Sequence, residues 1–161
     1  MSLPYDLSKD LIDVALLAVT PYVMVTASSG RYKNVKMIVD AAKAKPDGEP
    51  FASAGVGTST HLTAELFAQR AGVKLIHIPF KGSPDAIQDV AGARSSFYMA
   101  PLPSVAGMLK DGKLSLIAIT SAARVASFPA VPTMAESGYP DSTRRPTASP
   151  PITDPCFQPW A

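Results

Sequence analysis

From residue 22 to residue 120, short β-branched segments alternate with helical ones, and the connections between them are brief. That alternation restricts the fold more than any other feature of the chain. Tyr22–Ala27 is an apolar strand. Val35, Ile38, Val39 and Ala42 then fall at i, i+3, i+4 and i+7, the stripe of a helix that Asn34 can cap and Pro46 follows. Residues 50–53 form a second strand, and Ser59–Ala71 a helix closed by Gly72. Residues 74–80 are a third strand. Ser83, Pro84 and Asp85 open the next helix as N-cap, first-turn proline and first-turn acid, and Gly92 ends it. Residues 97–100, a short helix over 103–110, and a strand over 114–120 complete the series. The pattern predicts an α/β fold: a mostly parallel five-stranded sheet with helices on both faces. In such sheets ligands bind beyond the carboxyl ends of the strands, where the loops 54–60, 81–83 and 100–103 converge.

The first of those loops is chemically the richest. Ala54, Gly55, Val56, Gly57, Thr58, Ser59 and Thr60 lead from a strand into a helix. A helix amino end leaves N–H groups unpaired and carries partial positive charge. Two glycines let backbone approach a bound group, and three hydroxyls can cap the helix or donate hydrogen bonds. This is a cradle for a small anion, a carboxylate or phosphate. A well-capped helix after a tight turn accounts for the same residues, and the spacing matches neither the phosphate loop nor the dinucleotide fingerprint.

Composition narrows the alternatives. The 161 residues suit one domain with appendages, and 15 basic against 13 acidic residues give a net charge of +2 without a basic cluster. Nucleic acid is therefore not an expected partner. The chain has no apolar run of bilayer-spanning length. The apolar run from Val14 to Val19 follows acidic residues and is not read as a signal peptide. A single cysteine, Cys156, excludes an internal disulfide and a cysteine metal cluster, and no cofactor is expected. His61, in the first turn of the cradle helix, is read as packed or bonded to backbone, and His77 as a structural mid-strand residue. Glu65 and Asp85 are placed on solvent faces. A small hydrolase with Ser59 as nucleophile and His61 as base lacks a nucleophile elbow and an orienting acid.

Several strings carry a more specific signal. They are Phe-Ala-Ser-Ala-Gly-Val-Gly-Thr-Ser-Thr-His-Leu at 51–62, Ala-Gly-Val-Lys-Leu-Ile-His-Ile-Pro-Phe-Lys-Gly-Ser at 71–83, and Ala-Pro-Leu-Pro-Ser-Val at 100–105. Asp-Gly-Lys-Leu at 111–114, Ala-Ile-Thr-Ser at 118–121 and the run from Phe128 to the Gly-Tyr-Pro at 138–140 follow in order. The chain resembles the extracytoplasmic solute-binding receptors of tripartite tricarboxylate transporters, the Bug-type receptors, over about residues 5–140. Tyr5-Asp-Leu-Ser-Lys-Asp10 is similar to the family's segment before the first interdomain crossing.

The resemblance implies one lobe of a two-lobed, periplasmic-binding-protein-like fold that holds a small carboxylate between its lobes and delivers it to membrane permease subunits. It implies a periplasmic location and no enzymatic activity. Carried over residue by residue, it makes Ala54, Gly55, Gly57, Thr58, Ser59 and Thr60 the second lobe's carboxylate loop. Phe80 and Lys81, with Met99, Ala100 and Pro101, become neighbouring cleft walls.

The family's signal peptide and first-lobe half-site are not matched in these residues, and Ser95-Ser96 stands where the family often has valine-aspartate. The expected organisation is a first-lobe remnant over 1–21, a second-lobe domain over 22–120, a return segment over 121–140, and a disordered, proline- and hydroxyl-rich non-family tail over 141–161. A fragment that binds no ligand and serves a structural or interaction role is the alternative.

Overall fold

The structure is a computed structural model that describes residues 20–139. The readings made for the amino-terminal remnant up to Val19, for the 141–161 tail and for Cys156 lie outside the described residues. The order is β1 (Tyr22–Ala27), α1 (Val35–Ala44), β2 (Glu49–Ser53), α2 (Ser59–Ala71), β3 (Leu75–Pro79), α3 (Ser83–Ala91), β4 (Phe97–Pro101), α4 (Leu102–Lys110) and β5 (Leu114–Ile119). Local chemistry sets the ends. The Asn34 side chain accepts from the Met37 N–H at 2.9 Å and starts α1, and Gly72 closes α2 by donating to Ala68 and Gln69. α3 begins one residue earlier than its expected cap: Gly82 takes the N-cap position, and Ser83 lies inside the helix.

The sheet order is β3-β2-β4-β1-β5. β2 pairs parallel with β3 and β4, while β1 pairs antiparallel with both β4 and β5. Four strands thus point one way, and β1 is inserted against them. The inversion matters for the site. It brings the start of β1, at Tyr22, to the pole where β2, β3, β4 and β5 end, as the pairings Tyr22 with Pro101 and Val23 with Ile119 show.

Strand residues alternate between two apolar layers. Met24, Phe51, Phe97 and Met99 pack under α1 and α2, with Ile38 and Phe67. Val23, Val25, Ala52, Tyr98 and Ala100 pack under α3 and α4, with Ile87 and Val105. Both faces are covered, which is why these strands read as continuous apolar runs rather than as alternating ones.

The described part of the expected return segment packs against this same sheet and its helices. Thr133 forms a parallel bridge with Ile119, Met134 is buried, and Tyr139 packs edge-on against Phe67. A capping box ties this segment: the Thr133 N–H donates to Glu136 Oε2 at 2.7 Å, and the Glu136 N–H donates to Thr133 Oγ1 at 3.1 Å. It closes a turn rather than a longer helix. Thr133→Ala should lower the unfolding free energy by about 1 kcal/mol, read from the urea midpoint. An unchanged midpoint would show that the bridge to β5 holds the turn without its cap.

Candidate functional site

One pole of the sheet gathers the polar groups expected there. β2 ends at Ser53, and the next residues wind into α2 through a loop tied to itself. The Ala54 N–H donates to Thr60 Oγ1 at 2.9 Å, and Thr58 Oγ1 donates to the Gly55 carbonyl at 2.7 Å. Thr58 is the N-cap, with extended backbone and a hydroxyl that accepts from the His61 N–H. Gly55 and Gly57 both have positive φ, 133° and 77°. A Cβ on Gly55 would meet the Phe80 carbonyl at 3.3 Å, whereas one on Gly57 would meet nothing within 4 Å. Gly55 is required for closeness to the 80–83 loop and Gly57 for backbone shape on an open surface.

The glycine amides are not the free donors. The Gly55 N–H donates to Ser53 Oγ at 3.1 Å, and the Gly57 N–H to His61 Nδ1 at 3.1 Å. The amides of Ser59 and Thr60, at the amino end of α2, have no acceptor among the described residues. The Ser59 side chain is exposed, and its Oγ lies 2.5 Å from the Tyr22 hydroxyl. An anion at this pole meets two helix N–H groups and a Ser59–Tyr22 hydroxyl pair, the donor set suited to a carboxylate.

The neighbouring loops are drawn in by named contacts. The Phe80 N–H donates to the Ser53 carbonyl at 3.0 Å, and the Tyr98 hydroxyl donates to Ser83 Oγ at 2.9 Å. Burial pushes the Tyr98 hydroxyl's pKa up, while the hydroxyls of Ser83 and Thr60 act against it. Lys81 is exposed beside them. Pro101 ends β4 at this edge, and its carbonyl accepts from Ser104 Oγ.

Met99 and Ala100 are corrections to the expected cleft wall. Met99 is buried in the layer beneath α1 and α2, and Ala100 in the layer beneath α3 and α4. A strand covered on both faces buries both of its alternating sets, so only its last residue reaches this pole. Tyr22, Ser53 and Tyr98 were not among the residues expected at this pole. Tyr22 lies 37 residues from Ser59, and no local spacing pairs them.

Behind the loop, rings form a continuous stack. His77, Phe51 and Phe97 are register partners across β3, β2 and β4, with centroids 5.0 and 5.8 Å apart. His61 lies on His77 at 3.9 Å, with planes 14° apart. His77 Nε2 is 2.5 Å from Ser53 Oγ. Burial first, and then the neighbouring His61, push the His77 pKa down, with Glu65 acting the other way. His77 lies mid-strand in β3, as expected, and its ring is also wired to the cradle through Ser53.

Two cavities, of about 810 and 400 Å³, lie at the opposite pole and are lined there by Ser29, Arg94 and their neighbours. Beside the smaller one, the fully buried Glu49 is already paired with Arg31, Lys45 and Ser96. Among the described residues no group of three histidine, cysteine or acidic side chains could hold a metal ion, and no helix is long and apolar enough to cross a membrane.

Comparison with known proteins agrees with the geometry. The Tripartite tricarboxylate transporter family receptor family matches residues 1–156, a span that includes residues 141–156 of the expected non-family tail. Protein BugT of Bordetella pertussis is 36% identical over 157 residues, covering 96% of this chain and 48% of its own length. The chain spans 40–48% of the length of the first curated relatives it matches. A solved R. palustris protein with adipate superposes with a TM-score of 0.77 at 28% identity, covering 87% of this chain and 47% of that one. The periplasmic binding protein BugD gives a TM-score of 0.69 at 29% identity, over 76% and 41% of the two chains. Proteins of this family are substrate-binding receptors, not enzymes. This chain belongs to the tripartite tricarboxylate transporter receptor family.

Proposed function

We propose that the chain forms one lobe of a periplasmic solute-binding receptor that captures small carboxylates and presents them to the permease subunits of a tripartite tricarboxylate transporter. The observation that carries this reading is the pole itself: two unpaired amides at the start of α2 and the Ser59–Tyr22 hydroxyl pair meet at the cleft end of a sheet whose family matches along the chain. The adipate-bound relative supports a dicarboxylate as ligand. The roles of Ala54, Gly55, Gly57, Thr58, Ser59, Thr60, Phe80, Lys81 and Pro101 divide accordingly. Ser59 and the helix amides contact the anion, Thr58 and Thr60 hold the loop, and Phe80, Lys81 and Pro101 border it. A second lobe closing over the ligand supplies further donors and excludes water, so the isolated chain binds in the millimolar range.

Titration of the isotope-labelled chain with adipate and with citrate, followed by amide shifts, tests this. The expected shifts centre on residues 56–60 and on Tyr22. Ser59→Ala should weaken binding about tenfold, equivalent to about 1.4 kcal/mol. Thr58→Ala tests the loop instead, because its hydroxyl is consumed internally and its loss destabilises the cap by about 1 kcal/mol. Shifts confined to the Ser29–Arg94 pole, or unchanged affinity in Ser59→Ala, would remove the cradle from the site and leave a helix cap in a chain that does not bind there.

A further inference from the structure

Both histidines of the chain stand behind the cradle, ring on ring. His61 Nδ1 accepts the Gly57 N–H at 3.1 Å, so this hydrogen-bond network assigns the neutral ring's proton to Nε2. Nε2 lies 3.7 Å from Glu65 Oε1. His77 is held by Ser53 at its own Nε2 and is pushed toward the neutral form by burial. Two imidazolium rings at 3.9 Å repel each other, so the pair takes one proton rather than two.

That proton belongs on His61, beside Glu65. It enters at Nδ1, the atom that faces the Gly57 N–H, and two donors then oppose each other. The backbone there is free to respond. Gly57 has φ 77° with open space around it, and Val56 is 77% exposed. Turning the Val56–Gly57 peptide over offers the Val56 carbonyl to Nδ1–H and directs the Gly57 N–H outward.

We propose that His61 is a proton-linked positioning residue of the cradle: protonation at Nδ1 turns the Val56–Gly57 peptide, adds the Gly57 N–H to the anion's donors and couples carboxylate binding to proton uptake. The coupling rests on the carboxylate reading of the site; the peptide switch itself does not. The charged and titratable groups facing the ring are Glu65 on its own helix and His77 on β3, while β2 faces it with the uncharged Phe51. An arriving carboxylate brings a negative charge toward the ring, and the attraction between the two favours proton uptake on binding. The proton therefore enters chiefly with the anion, and charge attraction and the added donor act in the same direction. Affinity rises as pH falls, by up to about tenfold per pH unit while one proton is linked.

The experiment uses the full chain. Without ligand, amide spectra from about pH 8 to about pH 5 bracket the ordinary histidine range. The Gly57 amide should move with the same midpoint as the His61 ring. In His61→Asn, whose Oδ1 still accepts but takes no proton, it should stand still. A stationary Gly57 amide over a titrating His61 overturns the switch. If the asparagine variant does not fold, Glu65→Gln decides. Both midpoints should shift together, and a shift of the ring's midpoint alone overturns the proposal.

Calorimetry with adipate at about pH 7, where carboxylates are ionised, in two buffers of different ionisation heat should show proton uptake by the wild-type chain and none by His61→Asn. Binding without proton uptake overturns the coupling. Failure of adipate to bind at all counts against the carboxylate reading, and the amide titration then decides the switch.

Discussion

Phe51→Ala should cost about 3–5 kcal/mol of folding stability, the range for truncating a fully buried phenylalanine. Phe51 is 0% exposed and lies at the centre of the stack, against His77 at 5.0 Å, Phe97 at 5.8 Å and His61 at 6.2 Å. Its removal opens a cavity between β2 and α2 and also strips three ring contacts, each worth about 0.5–1.5 kcal/mol beyond area burial. The loss should reach the cradle, because His61 and His77 hold Gly57 and Ser53 from this stack. Urea unfolding of the variant measures the first effect, and the amide shifts of Gly55 and Gly57 the second. A loss under about 1.5 kcal/mol would mean that the layer beneath α2 collapses onto the space. Phe51→Leu, which refills most of the volume, should recover more than half of the stability but not the ring stack.

Glu49→Ala should cost about 2–4 kcal/mol, somewhat below the range for breaking a fully buried ion pair because its basic partners are partly solvated. Glu49 is 0% exposed, with Lys45 Nζ at 2.6 Å and Arg31 at 3.0 Å on one oxygen and Ser96 Oγ at 2.5 Å on the other. The side chains of Lys45 and Arg31 are 46% and 63% exposed, so the cost is borne largely by the Ser96 hydroxyl, which loses its acceptor on the fully buried carboxylate. Burial raises the Glu49 pKa, but Lys45, Ser96 and Tyr32 more than offset it, and the carboxyl titrates below its ordinary range. The folded value is depressed, so the folded state binds this proton less readily than the unfolded chain does. The stabilisation is fully present above the unfolded value of about 4.3 and is lost as pH falls through the folded value. Wild type and Glu49→Gln should therefore differ clearly at about pH 7 and converge as pH falls through the folded value. A difference independent of pH would assign the effect to packing rather than to charge.

Much of the local structure was legible because its causes are local. Asn34, Thr58 and Gly72 mark helix ends through contacts within a few residues, and Thr133 and Glu136 find each other across one turn. The 3.6-residue stripe in α1 buries Val35, Ile38, Val39 and Ala42, as its spacing predicts. β1 and α2 have the bounds read from their residues. The direction of β1 was not legible. An apolar run records that both faces of a strand are covered, and that pattern is the same whichever way the strand runs.

The site divides along the same line. The residues of the loop from Ala54 to Thr60 were set out by the sequence, since a glycine turn before a capped helix is a property of neighbouring residues. Which of its groups are spent and which are free was decided by tertiary structure. Ser53 and His61 consume the glycine amides, Tyr22 arrives beside Ser59 only because β1 is inverted, and Met99 and Ala100 withdraw into the two layers. Periodicity and capping are short-range and survive in the sequence. Hydrogen-bond pairing across the sheet pole depends on strand order, which is fixed only when the two apolar layers are packed together.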